Sequence, residues 1–223
     1  MADRPKSFQL SPEVHEYLVA HGTPPDEVQR ALITETAALG GISMMQVAPE
    51  QGALLTMLTK LVGARSAVEV GTFTGYSSLC IARGLAKGGH LLCCDVSDEW
   101  TAIARRYWER AGVADRVELR IAPALETLQS LPDDPTIDLA FIDADKPGYI
   151  SYYEELVRRI RPGGLLLVDN VLWGGNVVDP DVNDANTEAI RACNDHIAAD
   201  ARVEVVMLPV ADGLTLARTR VMR

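Results

Sequence analysis

The sequence predicts a doubly wound, mostly parallel α/β sheet, and three observations carry that prediction. From Ser66 onward, short apolar runs alternate with amphipathic ones, the order expected of strands linked by helices. The apolar runs are leucine-rich or β-branched and largely continuous, which suits strands covered on both faces. The last two runs are joined by the short link "PVADG", too short for a helix, so an antiparallel hairpin is expected at the C-terminal edge.

Before Ser66 the pattern is helical. In "SPEVHEYLVAHG", Ser11 is placed to cap a helix, Pro12 to open it and Gly22 to stop it. "TPPDEVQRALITETAALG" reads as a repeat of that design, and "APEQGALLTMLTKLVG" as a third helix ending at Gly63. Seven strands follow, in "RSAVEVG", "HLLCCDV", "RVELRIA", "TIDLAFID", "GLLLVDNV", "VEVVMLP" and "GLTLART". Helices are expected over Tyr76–Lys87, Glu99–Gly112 and Tyr149–Ile160, with a late amphipathic one around His196. No repeat or linker interrupts the chain, so residues 1–223 read as one domain, with residues 1–63 as a helical extension within it.

Composition excludes several classes of partner. A formal charge of −10 without a basic cluster disfavours nucleic acid. No apolar run is long enough to span a bilayer, and "MADRPKSFQLSPE" lacks the basic-then-apolar pattern of a signal peptide, so a cytoplasmic protein is expected. The four cysteines (80, 93, 94 and 193) show no CxxC spacing and read as buried free thiols. The four histidines show no ligand spacing and read as surface or packing residues.

In such sheets ligands bind beyond the carboxyl ends of the strands, and here those ends are polar. The first, "VEVGTFTGYS", turns on Gly71 and Gly75 and leaves amides at a helix start facing a ligand. It is neither GxGxxG nor a P-loop, which argues against a nicotinamide oxidoreductase. Glu69, charged within an apolar strand, needs a cationic or hydrogen-bonding partner. The second end, Asp95, is suited to ribose hydroxyls, so a nucleoside ligand is favoured, with Val96 and Trp100 available to an adenine face. The next two, "FIDADK" and "LLVDNV", bring Asp143, Asp169 and Asn170 together. Alone each could simply make a turn; three hard oxygen donors at adjacent strand ends point to Mg²⁺ or Ca²⁺. Lys146 reads either as a proton acceptor or as a surface partner of Asp145.

Five ordered motifs, "MQVAPEQGALL", "VEVGTFTGYSSL", "FIDADKPGYISYYE", "RPGGLLLVDNVLWGG" and "DGLTLAR", resemble the cation-dependent O-methyltransferases of the caffeoyl-CoA type, which in turn resemble catechol O-methyltransferase. The resemblance implies a Rossmann-like class I methyltransferase fold and a homodimer. It implies an S-adenosylmethionine site on Val47, Glu69, Gly71, Thr72, Ser77, Asp95, Val96, Pro123 and Ala124, with Asp143 beside the cofactor. Ala122 stands where that family often has glycine, which puts the local backbone in question. The metal ligands carry over to Asp143, Asp169 and Asn170, and the catalytic pair to Lys146 and Asp143, with Mg²⁺ first and Ca²⁺ or Mn²⁺ open.

The implied chemistry is consistent with these residue types. Transfer of a sulfonium methyl is an in-line displacement, in which positioning supplies much of the rate. A phenol with a pKa of about 10 is mostly protonated at neutral pH, and a cation bound to two vicinal oxygens corrects that. The acceptor is thus expected to be a vicinal dihydroxy aromatic small molecule. Trp173 and Tyr149 are candidates for an aromatic wall, and the stretch Val177–Thr187 reads as an exposed, mobile loop bearing on acceptor choice. The acidic balance disfavours a large polyanionic acceptor. The competing readings are a methyltransferase for another small-molecule acceptor and a cofactor-binding protein without catalysis.

Overall fold

Capping chemistry sets the N-terminal helices. The computed structural model of the protein describes residues 10–221; most of the stretch read as lacking a signal peptide lies outside the described residues. In α1 (Pro12–His21) the Ser11 hydroxyl accepts from the Val14 amide, and Pro12 opens the first turn. The second helix, α2 (Glu27–Ala37), begins later than the repeat of that design implied. Asp26 is its N-cap and exchanges hydrogen bonds with Gln29 in a capping box, while Pro24 and Pro25 stay outside. A carboxylate spaced three residues from a glutamine satisfies two end amides at once, which the upstream threonine cannot do. A 3₁₀ turn (Gly40–Met45) leads to α3 (Pro49–Val62), which Gly63 ends in the left-handed conformation.

The seven expected strands all form, in one sheet: β1 (Ser66–Val70), β2 (His90–Asp95), β3 (Val117–Ile121), β4 (Ile137–Ile142), β5 (Ile160–Asp169), β6 (Val203–Leu208) and β7 (Leu214–Thr219). Their order is β3-β2-β1-β4-β5-β7-β6. The first five are parallel, and β7 runs antiparallel to both β5 and β6. The C-terminal hairpin is therefore present, with β7 inserted and β6 at the edge. Between the strands lie α4 (Tyr76–Gly84), α5 (Asp98–Arg110), α6 (Ala124–Gln129), α7 (Tyr149–Val157) and α8 (Ala185–Ala198). Some boundaries depart from expectation. The strand β5 starts at Ile160, so "RPGG" belongs to it, and α4 and α7 end at Gly84 and Val157, before the expected Lys87 and Ile160.

Each face of the sheet carries its own core. Leu55, Leu79, Leu91 and Phe141 pack on the side of α2 to α5, and Leu128, Ile142, Tyr153 and Val168 on the side of α6 to α8. Each such leucine, fully buried, contributes roughly 2 kcal/mol. The less buried strands β3 and β6 are the two edges, where continuous burial is not required. The α2 helix is tied over the site by Thr36, whose hydroxyl donates to that of Thr74 at 2.9 Å, both buried. Among the described residues, no helix is long and apolar enough to cross a membrane.

Candidate active site

Strand register brings the polar strand ends to one level. Val70 pairs with Cys94 on one side and Ile142 on the other, and Ile142 pairs with Val168. The next residue on each strand is Gly71, Asp95, Asp143 or Asp169, so four expected site residues leave the sheet side by side. This row spans the point where the strand order reverses, between β1 and β4. Gly71 has φ +88°, and a β-carbon there would sit 1.8 Å from the Asp143 carbonyl oxygen. Only glycine permits so close an approach of the two strand ends.

A cavity of about 440 Å³ opens over β1 and β2, lined by Gly71, Thr72, Asp95, Val96, Pro123 and Ala124 among others. The Asp95 carboxylate accepts from the Thr72 and Phe73 amides at 2.9 Å and from Ser97 at 2.8 Å, which fixes its orientation against the glycine turn. Trp100 joins the lining with its ring 5.7 Å from Phe73, as expected of an apolar platform. Ala122 needs no left-handed backbone, and its amide donates to the Asp95 carbonyl at 3.0 Å, so alanine is acceptable where glycine was anticipated.

Val47 and Ser77 do not reach this cavity. They line an adjoining cleft with Gly71, Thr72 and Asp143, and both are buried. Glu69 is fully buried beside Ser77, Thr72 and Cys93, and no cationic partner among the described residues balances its charge. Neither carboxylate oxygen makes a well-formed hydrogen bond, and burial pushes its pKa up to about 7 against the weaker pull of those three groups.

The other half of the site centres on Lys146, which is 8% exposed. Its Nζ donates to Asn170 Oδ1 and to the Tyr149 hydroxyl, each at 2.6 Å, and meets Asp143 Oδ1 at 3.4 Å. The expected surface pairing with Asp145 does not form. Asp145 instead caps the turn after β4 by accepting from the Gly148 amide, and Lys146 turns inward. Asp169 is 2% exposed and accepts from the Asn170 amide at 2.8 Å. Burial raises the pKa of Asp143 against the pull of Lys146; burial and the Asp143 charge push Asp169 up to about 7. Asn170 holds φ +57°, which aims its amide back toward Lys146. Two carboxylates and an amide oxygen are hard donors that suit a divalent cation of the Mg²⁺ or Ca²⁺ kind.

Trp173 stands with its ring 5.5 Å from Lys146 Nζ, consistent with a wall. Tyr149 does not serve as one: it is 1% exposed and its hydroxyl donates to the Asp169 carbonyl. The stretch after Val177 is exposed as expected, yet it is fastened to α8 by Arg191, and its last residues belong to that helix. Sequence reading left Asp145 unassigned and missed Tyr152, which both line the large cavity and share a 2.6 Å hydrogen bond. Three tyrosines at 149, 152 and 153 all have the spacing of core residues, and nothing in the pattern singles out the second.

A family model described as O-methyltransferase matches residues 21–220. The chain belongs to the O-methyltransferase family. Among curated relatives of this family member, a Dictyostelium discoideum protein named "Probable caffeoyl-CoA O-methyltransferase 1" is 41% identical over 212 residues, covering 93% of this chain and 92% of its own. Caffeoyl-CoA O-methyltransferase 2 of Zea mays is 36% identical over 224 residues, covering 96% and 85%. A solved O-methyltransferase from Bacillus cereus, in complex with SAH, superposes with a TM-score of 0.85 at 35% identity, covering 93% of this chain and 97% of that one.

Proposed function

We propose that this O-methyltransferase uses S-adenosylmethionine and a divalent cation to methylate one hydroxyl of a vicinal dihydroxy aromatic small molecule. The observation that carries the reading is the double position of Asp143. It lines the cleft shared with the glycine turn and also contacts Lys146 beside Asp169 and Asn170. A donor site and an acceptor site thus meet at one residue.

The large cavity fits a nucleoside: Asp95 is oriented for ribose hydroxyls, and Val96, Trp100 and Pro123 offer apolar contact to a base. The Glu69 carboxylate is buried beside Thr72 and Ser77, which line the adjoining cleft, and a cationic ligand there would supply the charge partner it lacks. Asp143, Asp169 and Asn170 would hold the cation, for which Mg²⁺ is the first choice and Ca²⁺ or Mn²⁺ the alternatives. When bound, S-adenosylmethionine supplies the methyl group and the cation makes a chelated catechol hydroxyl more acidic. Lys146 is the proposed acceptor of the phenolic proton. Its three N–H groups face Asp143, Tyr149 and Asn170, so it acts as a base only once the ammonium has released one proton to solvent and a lone pair replaces one of those contacts. Trp173 orients the acceptor ring and excludes water at the same point.

Homodimerisation is part of this proposal; exposed apolar side chains on α1 and α3, among them Tyr17, Met57 and Leu61, offer surface for it. The test is transfer of labelled methyl from S-adenosylmethionine to catechol with Mg²⁺, before and after EDTA treatment. Transfer that EDTA removes and Mg²⁺ restores is expected. Undiminished transfer after thorough chelation rejects the cation.

A further inference from the structure

We propose that Arg191, on α8, is a positioning residue for the methyl acceptor, acting by fastening the segment that follows Trp173. The inference rests on the reading that the acceptor binds beside Lys146 and Trp173. Arg191 spends its guanidinium on main-chain carbonyls: Nε donates to Val177 at 3.0 Å, and Nη2 to Asn176 at 2.8 Å and to Asp179. Nη1 reaches the Asn183 side chain at 3.4 Å. Among the described residues no carboxylate pairs with it, although the chain carries a net charge of −10.

The segment 176–183 has little else to hold it. None of its residues is buried, and Val178 is 85% exposed. Its remaining hydrogen bonds are internal, such as Asp179 to Asn176 and Asn183 to Pro180. Just upstream the chain is pinned from two sides. The Asp212 carboxylate accepts from the Gly174 amide at 2.6 Å, and Asn194, one turn beyond Arg191 on α8, donates to the Val171 carbonyl at 2.8 Å. Between Val171 and the carbonyls held by Arg191, Trp173, Gly174 and Gly175 all have positive φ, at 46°, 60° and 90°. A tryptophan keeps such a conformation only when its surroundings over-determine it. Arg191 supplies the downstream half of that constraint and so sets where the Trp173 ring stands relative to Lys146.

A lysine cannot replace the fork, because one ammonium does not span three carbonyls that a planar guanidinium reaches together. Two variants, Arg191→Lys and Arg191→Ala, are compared with the wild-type chain. The readouts are steady-state transfer from S-adenosylmethionine to catechol with Mg²⁺ and hydrogen exchange of the peptide spanning 173–183. The KM for catechol should rise about tenfold in both variants, the loss expected for a charged hydrogen-bonding group, while the KM for S-adenosylmethionine stays within about twofold. Exchange in 173–183 should quicken at least about tenfold with α8 unchanged. Should the alanine variant fail to fold, the lysine variant carries the test. Unchanged exchange, or faster exchange with an unchanged catechol KM, overturns the inference. A wild-type chain that transfers nothing to catechol fails the functional reading itself, and the acceptor role of Arg191 falls with it.

Discussion

Substituting Gly71 by alanine should break the site and weaken the fold through one contact. The added β-carbon would lie 1.8 Å from the Asp143 carbonyl oxygen, so the two strand ends must part by about 1.2 Å to reach even 3.0 Å. Holding alanine at φ +88° adds about 1–2 kcal/mol of backbone strain. The parting also stretches the hydrogen bonds from Gly71 to Cys94 (2.9 Å) and from Asp143 to Val70 (2.8 Å), each contributing about 1 kcal/mol. A total of about 3–4 kcal/mol corresponds to a melting point lower by roughly 6–16 °C in a chain of this size. Because the displaced residue touches both halves of the site, turnover should fall about 100-fold. Thermal unfolding and labelled methyl transfer read the two effects. Gly112→Ala is the control, since Gly112 has φ +66° but nothing within 4 Å of the added carbon. It should cost only the strain and leave turnover alone. A Gly71→Ala chain as stable and as active as the Gly112→Ala chain would show that the close approach of Gly71 to Asp143 does not hold the site together.

Other outcomes follow from the same geometry. Lys146→Ala should lower kcat about 100-fold or more with S-adenosylmethionine affinity by calorimetry nearly intact; unchanged turnover removes the base assignment. Glu69→Gln should stabilise the ligand-free chain at pH 8 and weaken cofactor binding. Its folded pKa of about 7 stands above the ordinary 4.5, so the destabilisation is absent below pH 4.5, grows as pH rises through 7, and reaches ~3 kcal/mol. Urea titrations at pH 5 and pH 8 check the sign. At Asp200 the direction reverses. Burial pushes its pKa up, but the hydrogen bonds from Arg202 outweigh that and hold it at about 2, with the Tyr153 hydroxyl donating as well. Its stabilisation, about 1–2 kcal/mol, is full above pH 3.8 and is lost as pH falls toward 2. Asp200→Asn should flatten that acid limb.

Much of this arrangement is legible in the sequence because strand ends announce themselves. An apolar run that stops at Asp95, Asp143 or Asp169 places a carboxylate at the rim whatever the loops do. Parallel pairing then aligns the rims, because the strands of a parallel set all end on the same side of the sheet. Contacts made by side chains that turn back on the chain are not legible. Lys146 could pair with Asp145 next door, and only the fold reveals that its amine reaches Asn170, 24 residues away. Tyr152 is hidden for the same reason, since its role depends on how α7 is set against Asp145. The segment after Trp173 has the composition of a mobile loop, and its tether, Arg191, sits on a helix whose pattern only advertises an exposed charge. The start of α2 is not legible because two caps compete locally and the capping box decides between them.

Methyl transfer to a chelated vicinal diol separates from every other reading when catechol and phenol are compared as acceptors in the presence of Mg²⁺. Both rings offer the same nucleophile, and only catechol offers two oxygens to a cation held by Asp143, Asp169 and Asn170. Labelled methyl is expected on catechol and essentially none on phenol, with the difference abolished by EDTA. Equal transfer to the two acceptors, insensitive to chelation, would contradict transfer to a chelated diol.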